Sequence, residues 1–190
     1  MHAPIAVGAW AEGSGHAGPG RGRLAMRVLV TAGSKYGSTR EIAHVIAAEL
    51  AAQGFEVDCL DAHEVLTVNP YDAIVVGSAV YGGLWRRDAE EFIAHHADVL
   101  VTRDVCTFSV GLETVVTPGE GHDEAKALGE RIGARRHMRF TGALDPDRIN
   151  EGERALLAPL NPPVGDFRDM ARVREWAQEI GAQMAEIASL

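Results

Sequence analysis

From residue 27 onward, short runs rich in β-branched and other apolar residues alternate with longer stretches whose apolar positions recur every three or four residues. No other feature constrains the fold as much. Strands separated by helical stretches join in parallel through crossovers, so the sheet must be mostly parallel with helices on its faces. Residues 28–32 and 73–77 read as strands buried on both sides, and residues 105–110 and 139–144 supply two more. Residues 56–60 are half polar and suit a sheet edge. Between the strands, residues 39–52 place Ile42, Val45, Ile46 and Leu50 on one helical face, ended by Gly54. A second helical stretch carries Trp85, Ala89, Phe92, Ile93 and Leu100, and a polar one covers 123–134. The closing helix is lined by Val173, Trp176, Ala177, Ile180, Met184 and Ile187. The reading is a three-layer α/β fold, a five-stranded parallel sheet flanked by helices, in one domain over residues 26–190.

Residues 1–25 do not fit this pattern. They hold six Gly, six Ala and two Pro, and are expected to form a disordered leader. Gly13-Ser14-Gly15-His16-Ala17-Gly18 matches a dinucleotide-binding spacing, but Pro19, Gly20 and Gly22 follow where that motif requires a helix. Met26 stands directly before the first strand and offers an alternative start. The leader is a poor match to a secretory signal, and Cys59 and Cys106 lie far apart in separate apolar segments, as suits a reducing compartment. The expected location is cytoplasmic. With 18 Lys and Arg against 27 Asp and Glu, the net charge of −9 disfavours nucleic acid as a partner.

In an open parallel sheet, ligands bind beyond the C-terminal ends of the strands, where strand order reverses. The loop after the first strand, Ser34-Lys35-Tyr36-Gly37-Ser38-Thr39, runs straight into a helix. Its hydroxyls, its glycine and the free N–H groups of a helix start make a cradle for a phosphate. The structural alternative is that Ser38 or Thr39 caps the helix. After the third strand, small residues surround one aromatic: Gly77-Ser78-Ala79-Val80-Tyr81-Gly82-Gly83. Backbone there can approach a flat ligand closely, and Tyr81 can stack on it. Trp85 is read as a core residue of its helix.

The Ser-x-x-Gly-x-Thr loop and the Gly-Ser-x-x-Tyr-Gly loop together resemble those of the flavodoxin domain family, over residues 26–190. The resemblance implies FMN as cofactor. Its phosphate would lie on Ser34, Lys35, Tyr36, Gly37, Ser38 and Thr39. Its ring system would lie between Ala79, Val80, Tyr81 and Gly82 and a third loop, residues 110–114, with Gly111 and Leu112. Within the family, three features are most similar to the menaquinone-dependent protoporphyrinogen dehydrogenases: residues 37–43, residues 141–144, and an insertion at 145–166. That similarity implies an FMN-dependent oxidoreductase passing electrons from a reduced, protoporphyrinogen-type substrate to a quinone. The alternatives are a plain flavodoxin carrying electrons between protein partners and a non-catalytic flavin-binding module. The insertion carries Asp145, Asp147, Glu151 and Glu153 against Arg148 and Arg154, so membrane contact is at most peripheral.

Arg86 and Arg87 stand where a helix begins, a position that disfavours cations. They are candidates for an anionic substrate or quinone headgroup; alternatively they form surface pairs with Glu90 and Glu91. His95 and His96 are adjacent on a helix and are expected to be solvated. No metal site is expected, because no Cys/His cluster has zinc spacing. With FMN carrying the redox chemistry, no side chain is expected as general acid or base.

Overall fold

The computed structural model describes residues 26–112 and 124–189. The leader, the start of the polar helix at Asp123 and the end of the third loop, Glu113 and Thr114, lie outside the described residues. The elements in chain order are β1 (Arg27–Gly33), α1 (Ser38–Ala52), β2 (Glu56–Asp61), β3 (Ala73–Tyr81), β4 (Leu84–Trp85), α2 (Arg87–Leu100), β5 (Asp104–Gly111), α3 (Glu124–Arg131), β6 (Arg136–Thr141), β7 (Ala143–Leu144), α4 (Glu151–Leu157), β8 (Gly165–Asp166) and α5 (Met170–Ile187). The main sheet runs β2-β1-β3-β5-β6, all parallel. Chain order reverses beside β1, between β1 and β3, which places the ligand crevice at the ends of those two strands.

Alternation along each strand feeds two cores. Val28, Val30, Phe108 and Phe140 face α1 and α5, where Ile46, Leu50, Trp176 and Ile180 meet them. Leu29, Ile74, Val76 and Val105 face α2 and the end of α3 with Phe92, Ile93, Leu100 and Ile132. Phe108 lies flat across the Cα of Gly77: a methyl group there would sit 2.0 Å from the ring. The space lets Phe108 reach Trp176 in an edge-to-face contact, centroids 6.2 Å apart.

Four readings of the sequence change. The second loop is tighter than expected, because β3 continues through Tyr81 and turns back at Gly82-Gly83 into the antiparallel β4. Both glycines have positive φ (59° and 83°), as the tightest hairpin turns require. Trp85 sits on β4 rather than on a helix, although it is buried beneath α2 as a core residue. The fifth strand is Arg136–Thr141, not 139–144; Ala143 and Leu144 instead pair antiparallel with β8. His96 is 8% exposed rather than solvated. It follows Phe92 by one helical turn and shares its inward face, ring centroids 5.0 Å apart. Burial lowers its pKa, partly offset by a backbone hydrogen bond at Val65.

Candidate flavin site

The loop after β1 turns into α1 through Gly37, whose φ of 94° lies in the left-handed region. Neither Ser38 nor Thr39 caps the helix. The Ser34 hydroxyl instead accepts hydrogen bonds from the backbone N–H groups of Gly37 (3.2 Å) and Arg40 (3.3 Å). Thr39 is 1% exposed, and its Oγ1 has no hydrogen-bond partner. Leaving a buried hydroxyl unmatched costs about 1–3 kcal/mol, so an acceptor brought to this helix start would satisfy it.

Tyr36, Ser38 and Thr39 line a cavity of about 680 Å3, within the range of small-molecule sites. Ala79, Val80, Tyr81 and Gly82 line it from the β3 hairpin, and Val110, Gly111 and Leu112 from the end of β5. Ser34, Lys35 and Gly37 are not among its lining residues. The three loops therefore converge as their positions at the strand ends require. Tyr81 is 48% exposed, with Leu84 beside it across the hairpin. Burial raises the Tyr81 phenol pKa, with Arg86 and Lys35 pulling the other way. The hairpin is fixed from below by Ser78, whose hydroxyl donates to the Ala79 carbonyl and accepts from Arg86 N–H, each at 2.8 Å.

The insertion supplies a fourth wall that sequence reasoning missed. Ile149, Leu156, Leu157 and Pro162, with Leu144 just before it, give it an apolar surface, and Asp145, Arg148 and Glu153 are the charged residues lining the cavity. Nothing in the Ala-Leu-Leu-Ala-Pro-Leu run at 155–160 showed that the segment folds back over the first loop. Lys35 reaches across to it, with Nζ 2.6 Å from Glu153 Oε1.

Arg86 and Arg87 do not line the cavity. Arg86 precedes α2 and pairs with Asp88 at 3.2 Å rather than with Glu90. Arg87 is largely exposed and pairs with Glu91 at 2.7 Å. Asp61, His63 and Glu64 cluster at the end of β2, where Arg40 already holds the Asp61 carboxylate. No helix among the described residues is long and apolar enough to cross a membrane.

Comparison with known proteins agrees with this geometry. Residues 29–168 match the flavodoxin domain family. A stretch of 89 residues is 30% identical to the quinone-linked protoporphyrinogen IX dehydrogenase of Escherichia coli K12, covering 46% of this chain and 49% of that protein, so the match spans about half the relative's length. An archaeal flavodoxin superposes with a TM-score of 0.55 at 14% identity, over 87% of this chain and all of that one. A flavodoxin variant from Pseudomonas aeruginosa gives 0.52 at 18% identity, over 83% and 97%. Matched over most of its length and built with the same layers, the chain belongs to the flavodoxin domain family, whose cofactor is FMN.

Proposed function

We propose that FMN occupies this cavity with its phosphate at the start of α1, and that the protein is an oxidoreductase passing electrons from a reduced organic substrate to a quinone. The observation that carries the placement is the Thr39 hydroxyl, buried, unpartnered and on the cavity wall. Around it, Ser38 and the N–H groups of the loop provide further donors, and the α1 dipole favours an anion. Gly37 gives the backbone its left-handed turn with no side chain in the way. Tyr81, half exposed on a tight hairpin, offers a face for the ring system, and Val110 and Leu112 line the same cavity from the end of β5.

When bound, FMN supplies reversible electron and hydride transfer; the protein's part is to bind, orient and exclude water. The apolar wall of the insertion supports an enzyme over a plain carrier. Leu144, Ile149, Leu156 and Leu157 extend the cavity beyond the three loops and would give a flat apolar substrate or quinone a place beside the flavin. The similarity to the E. coli dehydrogenase supports the same reading. The test is to load the protein with FMN, reduce it anaerobically and mix it with a soluble menaquinone analogue in a stopped-flow instrument. Fast reoxidation is the expected result. Failure to react with the quinone, together with rapid exchange with a reductase protein, would favour the carrier.

A further inference from the structure

Glu153 lies more than a hundred residues from the first loop in sequence, yet its carboxylate takes up two of that loop's side-chain donors. Lys35 Nζ is 2.6 Å from Oε1, and the Tyr36 phenol donates to Oε2. The Asn150 N–H also donates to Oε2, at 3.2 Å, so the acceptor is oriented by the cap of its own helix. Arg148 Nη1 adds a second tie, to the Tyr36 carbonyl at 3.3 Å. Both Tyr36 and Glu153 line the cavity next to Thr39. At its other end the insertion is anchored separately: Arg168 Nη1 donates to Glu41 Oε2 at 2.6 Å and its Nη2 to Asp166 at 2.7 Å.

A carboxylate and a phosphate dianion cannot share the same donors without strong like-charge repulsion. We propose that Glu153 is an internal anion that holds residues 145–162 against the first loop until a phosphate monoester takes over Lys35 and Tyr36. Binding of the phosphate and release of this strap are then one equilibrium, with Arg168 keeping its base in place. The inference rests on the phosphate reading of the loop. It goes further in making Glu153 the residue that tunes selection of a phosphorylated over an unphosphorylated flavin.

Hydrogen exchange of the full chain, without flavin, tests the latch. Glu153→Gln keeps the shape and an acceptor for Asn150 but loses the charge that pairs with Lys35. Peptides covering 145–162 should exchange about two- to fivefold faster than in the wild type, the range for a partly exposed ion pair. Lys35→Met should loosen the same peptides if Glu153→Gln folds poorly. Inorganic phosphate should speed exchange there in the wild type and not in Glu153→Gln. Titration with FMN and with riboflavin then tests selection: Glu153→Gln should raise the preference for FMN severalfold, while Lys35→Met should not. Unchanged exchange in both variants, or an FMN preference that falls or stays level in Glu153→Gln, would overturn the proposal. Loss of all flavin binding would count against the functional reading, while the exchange data would still decide the latch.

Discussion

Replacing Thr39 with valine is expected to move two quantities in opposite directions. The substitution keeps the branched shape at this fully buried position and removes the hydroxyl that has no partner. Because an unmatched buried hydroxyl costs about 1–3 kcal/mol, the flavin-free protein should gain about 1 kcal/mol, a rise of about 2–4 °C in Tm for a chain of this size. In the proposed complex the same hydroxyl would donate to the phosphate, and a hydrogen bond to a charged group is worth about 1.5–3 kcal/mol. FMN affinity should therefore fall about 10- to 100-fold. Riboflavin has no phosphate, and its affinity should barely change. Differential scanning fluorimetry of the stripped protein and flavin fluorescence titrations read both effects. A lower Tm for flavin-free Thr39→Val, or equal losses for FMN and riboflavin, would refute the reasoning.

Further outcomes follow from the same geometry. Lys35→Ala should weaken FMN less than Thr39→Val does, because the lysine is already engaged by Glu153; paired titrations decide this. Gly37→Ala should cost about 1–2 kcal/mol in urea unfolding through its left-handed φ alone, since a methyl there meets nothing within 4 Å. Gly77→Ala forces a methyl into the Phe108 ring and should cost about 1–3 kcal/mol or more, seen as a lower urea midpoint. His96 has its pKa lowered by burial, so the unfolded chain binds its proton more readily. Its contribution is full above the ordinary value of 6.5 and is lost as pH falls below it. Replacing His96 with Leu should flatten the stability profile below pH 6.5. Arg86→Ala with Arg87→Ala should leave FMN affinity unchanged by titration, because neither residue lines the cavity and each is paired with a neighbouring carboxylate.

The layered architecture was legible because β1, β3 and β5 are buried on both faces and α1 and α5 carry one clean apolar stripe each. The first loop stood out because its residue types suit one chemistry, and the fold brings its Tyr36, Ser38 and Thr39 to the cavity wall. What stayed hidden depends on partners distant in sequence. β6 begins Arg136-His137-Met138-Arg139, polar on one side because it is a sheet edge, and an apolar pattern cannot reveal such a strand. Gly77 looked like the start of a loop, whereas it is the floor beneath Phe108. Trp85 was read correctly as core but placed on the wrong element, because two residues of strand carry no periodicity. Glu153 gave no local sign of its role: its partners lie on the first loop, and only the folded chain brings them within reach.

The position of α5 against α1 bears on the order in which the chain is made. The face under α2 has its buried residues in hand by Ile132. The opposite face waits for Val173, Trp176, Ala177, Ile180 and Met184, all on the last helix. Until α5 has been made, Phe108 and Phe140 lack the Trp176 ring that packs against them and α1 lacks its partner on that face, and exposed apolar surface of this kind invites association. One half of the sheet can mature while translation continues; the other closes only once α5 has been made. A chain ending before Met170 should keep every strand and all three cavity loops in sequence, yet collect in the insoluble fraction.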